Sequence, residues 1–147
     1  MKLIFERWNG FLKEIRTLTV PSRDEIVKYI TENPNQVIHL DNPKGSKKAF
    51  GRGEENKIEL PFDYGEYPDI INPADGMGWD IIIVPSGSQY DKELIPVGHI
   101  EYSRDRPEKL GNDKIIIAPR GHYVQNDVDT IEGFFNDLEG FERTRWY

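Results

Sequence analysis

Cysteine is absent from this 147-residue chain, which excludes a disulfide scaffold and any thiolate metal centre. Long apolar runs are missing as well. None exceeds the four residues of Ile81 to Val84, far short of the roughly 20 that cross a bilayer, and the N-terminus has no secretory apolar region. A soluble, intracellular protein with no membrane partner is the expectation. Basic residues are scarce relative to acids, 19 Lys and Arg against 26 Asp and Glu, for a net charge of −7 and a pI near 5.0. That balance disfavours nucleic acid, because affinity for phosphate backbones comes mostly from Lys and Arg releasing counterions. The phosphate loop Gly-x-x-x-x-Gly-Lys and the dinucleotide fingerprint Gly-x-Gly-x-x-Gly are both absent. Ser86 and Ser88 stand in Pro-Ser-Gly-Ser without the context of a nucleophile elbow and read as a plain turn.

What is present reads as one domain with a helical preface. Ile4, Trp8, Phe11, Ile15 and Leu18 recur at three- and four-residue steps, the pattern of an amphipathic helix. Ser22 and Glu25 have capping-box spacing ahead of Ile26, Val27 and Ile30, which predicts a second helix from Ser22 to Glu32, ended by Asn33-Pro34. These elements make a helical segment of residues 1–35. Over 36–147 the period changes. Val37 to Leu40, Lys57 to Leu60, Asp80 to Val84, Leu94 to Tyr102 and Lys114 to Ala118 are β-rich runs between Pro, Gly and Asn clusters. A closing helix from Asp127 to Leu138 aligns Ile131, Phe134, Phe135 and Leu138, with Asn126 or Asp127 as its cap. The expected class is α+β, mainly β: a five-stranded OB-like barrel with flanking helices. The closing Arg143-Thr144-Arg145-Trp146-Tyr147 reads as a frayed tail or as aromatics packing on the barrel.

Charge is segregated along the chain. Between Glu59 and Asp91 there are seven acids and no Lys or Arg, while Lys44, Lys47, Lys48 and Arg52 crowd the stretch just before. Brought together, such stretches let carboxylates hold a hard divalent cation and let basic groups hold a phosphate bridging to it, as phosphoryl chemistry requires. The alternative is two solvated loops. Within the acidic stretch, Asp75 sits at an Asp-Gly turn and Asp80 opens a buried strand five residues later, so Asp80 needs a partner, a hydrogen bond or a metal. His39, His99 and His122 have no ligand spacing and read as ordinary structural or surface residues.

The ordered series Pro43-Lys44-Gly45-Ser46, Tyr64-Gly65, Asp75-Gly76 to Asp80, Pro96-Val97-Gly98, Asn112-Asp113-Lys114 and Phe134-Phe135 resembles the soluble inorganic pyrophosphatase family, over roughly Val37 to Phe135. The resemblance implies an OB-like barrel that hydrolyses pyrophosphate with Mg²⁺, and members that often assemble into homo-oligomers. It assigns Asp75 and Asp80 to metal, Tyr64 to phosphate and Lys114 to phosphate. Asp105 lies near another family aspartate, and Asn112 or Asp113 takes the place of the last metal aspartate. Lys44, Lys48 and Arg52 are the basic residues available to the phosphate.

The departures from that pattern bear on activity. The middle aspartate of the signature, which in the family helps to activate water, falls on Met77, whose thioether neither takes a proton nor suits Mg²⁺. Positions 49 and 51 carry Ala and Gly where the family has a lysine and an acid. The expected function is therefore a divergent Mg²⁺-dependent pyrophosphatase-type phosphohydrolase. The alternative is an impaired relative that binds pyrophosphate or another small phosphorylated ligand. The opening MKLIFERWNGFLKE also resembles the capsid-targeting peptides of tailed-phage internal proteins. That resemblance implies cleavage after Glu14 and a place in the virion interior, against the alternative of a helix packing on the domain.

Overall fold

The computed structural model describes residues 23–49, 57–72, 76–87, 93–102, 113–138 and 140–147. Helix α1 (Arg23–Glu32) is followed by β1 (His39–Asn42), β2 (Lys47–Lys48), β3 (Ile58–Glu59), β4 (Asp63–Ile71), β5 (Gly78–Ile83), β6 (Leu94–Tyr102) and β7 (Lys114–Pro119); helix α2 (Gln125–Phe135) and β8 (Phe141–Trp146) complete the order. Six strands form one mixed sheet in the order β1-β4-β5-β7-β6-β8, and β2 and β3 form a separate two-stranded ribbon. The fold is α+β and mainly β, as the sequence predicts. The expected five-stranded closed barrel is corrected: the sheet is open, with β1 and β8 at opposite edges.

Burial explains the arrangement. The central strands β5 and β7 are parallel to one another and buried on both faces, which is why Ile81 to Ile83 and Ile115 to Ile117 read as unbroken apolar runs. On one face Ile26 and Ile30 of α1 pack with Tyr67, Trp79, Ile81, Ile83, Ile115 and Ile117. On the other, Ile131 and Phe135 of α2 pack with Tyr64, Ile82, Val84, Tyr102, Ile116 and Ala118. A helix on each face leaves the sheet no need to curl shut in order to hide its second surface.

Two strands of the large sheet escape the sequence pattern. β4 contains Gly65, Pro68 and Asp69, all poor strand formers, yet Pro68 falls where the register with β5 slips between Tyr67 and Ile71, so its missing N–H interrupts no ladder bond there. β8 sets charged Glu142, Arg143 and Arg145 between Phe141 and Trp146, a blunted edge strand pairing with β6; of the two expectations for this segment, a frayed tail gives way to a strand whose aromatics pack on the core. Both predicted helices within the described residues form. Asp127 caps α2 from its third position: its Oδ2 accepts from the Val124 N–H at 2.9 Å and from Ser86 Oγ at 2.6 Å. The predicted N-terminal helix and the Glu14 cleavage site lie outside the described residues, as does Ser22. No helix among the described residues is long and apolar enough to cross a membrane.

Candidate functional site

Strand register assembles one polar row across the sheet. Glu66 of β4 stands directly opposite Asp80 of β5, and His39 of β1 stands opposite Glu66 on the other side. One step before the Ile81–Ile115 pair, Asp80 meets Lys114 of β7, whose Nζ donates to Asp80 Oδ2 at 3.1 Å. Ile100 of β6, opposite Lys114, ends the polar part of the row.

Aromatic rings enclose the lysine. Lys114 Nζ lies 5.3 Å from the ring centres of both Tyr64 and Tyr102, and Lys48 Nζ, brought over by the β2–β3 ribbon, lies 4.9 Å from the Tyr64 ring. Such placement lets the negative ring faces share the work of solvating an ammonium that water hardly reaches. Burial pushes the Lys114 pKa down, but Tyr64, Asp80 and Tyr102 together outweigh it and raise the value, so the ammonium is charged at neutral pH. Burial foremost, with Asp80 adding to it and Lys114 opposing, raises the Tyr64 pKa, and its hydroxyl keeps its proton. Solvent reaches the cluster through Asp80, whose side chain is 33% exposed, and through half-buried Lys48.

The structure thus brings together Tyr64, Asp80, Lys114 and Lys48 from the sequence-derived set. It separates Asp113 from them. Asp113 precedes Lys114, and alternation along a strand sends neighbours to opposite faces. Its Oδ2 accepts from Arg23 at 2.5 Å and its Oδ1 from the Tyr102 N–H at 2.9 Å, so it ties α1 to the end of β6 rather than sharing a metal with Asp80. Lys44 is exposed, and its backbone N–H donates to Asp63 Oδ1 at 2.6 Å. Asp75, Arg52, Asp105 and Asn112 lie outside the described residues. Met77 is 62% exposed.

Mg²⁺ is typically held by one or two carboxylates with waters and substrate phosphates completing an octahedron. Asp80 fits that demand: it is partly exposed, and Lys114 engages one of its two oxygens.

Sequence reasoning passed over a second group at the sheet edge. His39 Nδ1 is 3.4 Å from Asp41 Oδ1 and 3.8 Å from Glu66 Oε1. The signal available was the His-x-Asp spacing; Asp41 sits at the bulge of β1 beside His39, and the contribution of Glu66 depended on the register with β4.

A third polar group lies at the β6–β8 edge. Buried His99 bonds Tyr147 Oη through Nδ1 at 2.7 Å and Glu101 Oε2 through Nε2 at 3.1 Å, and Arg145 Nε donates to the same carboxylate oxygen at 2.7 Å. A carboxylate can only accept, so Nε2 carries the hydrogen and Nδ1 accepts from the tyrosine. Every polar atom of the imidazole is spent within the fold, which suits a fastening between strands. Compared with protein-family models, curated proteins and solved structures, the chain has no match.

Proposed function

We propose that the chain is a divergent Mg²⁺-dependent phosphohydrolase of the inorganic-pyrophosphatase type, acting on pyrophosphate or a related small phosphorylated ligand. One observation carries the reading. Tyr64, Asp80 and Lys114, which sequence resemblance singles out on three separate strands, converge around one ammonium–carboxylate pair. The cluster is also polarised, with carboxylates toward β4 and β5 and ammonium groups toward β7 and the ribbon, the division of labour that phosphoryl transfer uses.

In this reading Lys114 and Lys48 bind phosphate oxygens, and the Tyr64 hydroxyl donates a hydrogen bond because it stays protonated at neutral pH. Asp80 orients Lys114 and, with Asp75, would hold Mg²⁺. Bound there, the ion supplies charge neutralisation and a water of lowered pKa. A second reading, phosphate binding without hydrolysis, draws support from Met77, which puts an exposed thioether where the signature has its base.

Phosphate release from pyrophosphate, measured with Mg²⁺ and with chelator for the wild type and Asp80→Asn, tests the proposal. Chelator-sensitive release that the variant loses is expected. Release that Asp80→Asn leaves unchanged overturns the site, and no release with retained pyrophosphate binding selects the second reading.

A further inference from the structure

We propose that His39, Asp41 and Glu66 form a second cation site, selective for a borderline divalent transition ion such as Zn²⁺ over Mg²⁺. One imidazole nitrogen and two carboxylate oxygens lie within 4.8 Å of one another. Ligands at about 2.1 Å around a tetrahedral ion stand about 3.4 Å apart. The His39–Asp41 separation of 3.4 Å already has that value, and the His39–Glu66 separation of 3.8 Å needs only a small side-chain adjustment. Three protein ligands and an open fourth position make a site that keeps a water. The nitrogen donor sets the selectivity, since imidazole favours zinc-like ions whereas Mg²⁺ prefers an all-oxygen shell.

An independent feature of the sheet also calls for a cation here. Glu66 and Asp80 are direct cross-strand partners, and like charges so placed repel. Lys114 compensates Asp80. Among the described residues the ion-pair partner of Glu66 is the exposed His39 imidazole. Gly78 leaves room beside it for the Glu66 carboxylate. A Cβ on Gly78 would come within 2.8 Å of its Oε2, so the absent side chain at 78 leaves the space that the carboxylate occupies. Likewise a Cβ on Gly65 would meet the His39 carbonyl oxygen at 2.2 Å, so glycine there lets β1 approach closely enough for His39 and Glu66 to meet.

This site adjoins the proposed phosphate cluster at the Glu66–Asp80 pair, but it stands whether or not the chain hydrolyses pyrophosphate. Its side chains are reached from solvent, His39 being 66% exposed. The test is calorimetric titration of the metal-free full chain with Zn²⁺ and with Mg²⁺, for the wild type, His39→Ala, Glu66→Gln and Asp80→Asn. One saturable Zn²⁺ per chain is expected. Loss even of outer-shell support typically costs 10–100-fold, so removing His39 or Glu66 lowers affinity at least about 100-fold, while Asp80→Asn, which keeps all three ligands and only removes the charge opposite Glu66, lowers it by less than about tenfold. Exposed His39 can be replaced without disturbing the core, so this variant decides the matter if Glu66→Gln folds poorly. No saturable Zn²⁺, Zn²⁺ binding unchanged in His39→Ala, or binding lost only in Asp80→Asn overturns the site.

Discussion

Lys114 Nζ and Asp80 Oδ2 meet at 3.1 Å across the only parallel strand pair among the described residues, the ammonium almost fully buried and the carboxylate one-third exposed. The asymmetry predicts unequal responses to removing either partner. Asp80→Ala strands a buried charge, and we expect a loss of about 3 kcal/mol in denaturant unfolding, the low end for a broken buried pair because Asp80 is partly solvated. Lys114→Met removes the buried charge and leaves a carboxylate that water can reach, so stability changes by less than about 1 kcal/mol. Pyrophosphate binding should nevertheless fall at least tenfold in Lys114→Met. Equal destabilisation by the two variants would count against the pair as described.

Asp113 is expected to matter for stability and not for metal. Asp113→Asn keeps the size of the side chain but weakens the tie to Arg23 and to the Tyr102 N–H, at a cost of about 1–3 kcal/mol. Any Mg²⁺-dependent phosphate release should persist with an unchanged dependence on Mg²⁺ concentration. A Mg²⁺ requirement shifted tenfold in this variant would return Asp113 to the metal site.

The His99 fastening makes stability fall on acidification. Burial foremost, aided by the Arg23 charge and opposed by Glu101, lowers the His99 pKa below its ordinary 6.5. The unfolded chain therefore binds the proton more readily, and the contribution is fully present above about pH 6.5 and lost as pH falls toward the folded value. Glu101 acts in the same sense at lower pH: burial raises its pKa, but the hydrogen bonds from His99 and Arg145 and the Arg23 charge lower it further. Thermal unfolding between about pH 7.5 and 5.5 should show a declining midpoint, flattened in His99→Gln. A midpoint that rises on acidification would contradict this account.

Gly65 offers a way to disturb the sheet edge without touching a donor atom. In Gly65→Ala the new methyl group meets the His39 carbonyl oxygen, so β1 must shift outward. We expect a loss of about 1–3 kcal/mol, as for other overpacked positions, together with weakened Zn²⁺ binding. Calorimetry on the folded variant checks both.

Much of this arrangement was written into local pattern. The central strands announced themselves as Ile runs, and α1 and α2 as apolar stripes ended by Pro or opened by acids. The outer strands did not: β4 hides Gly and Pro in a bulge, and the charges on β8 serve an edge that only the assembled sheet defines. The same limit applies to the sites. Tyr64, Asp80 and Lys114 were legible through motif order, whereas Glu66 acquires its neighbours from register on both sides. Asp113 could have been set aside from sequence alone, because a residue adjacent to Lys114 on a strand faces the other way.

The parallel β5–β7 pair also governs when the cluster comes into being. Its strands are joined through β6, which lies on the far side of β7, so β5 and β7 pair only after a long excursion of the chain has closed. Loop-closure entropy opposes such a non-local step before its contacts are won, which makes it slow. Tyr64 and Asp80, on the β4–β5 hairpin pair, therefore gain Lys114 only when β7 pairs with β5. Under the proposed function, a ligand there binds only after β7 has docked, and so stabilises the finished fold without rescuing an earlier intermediate.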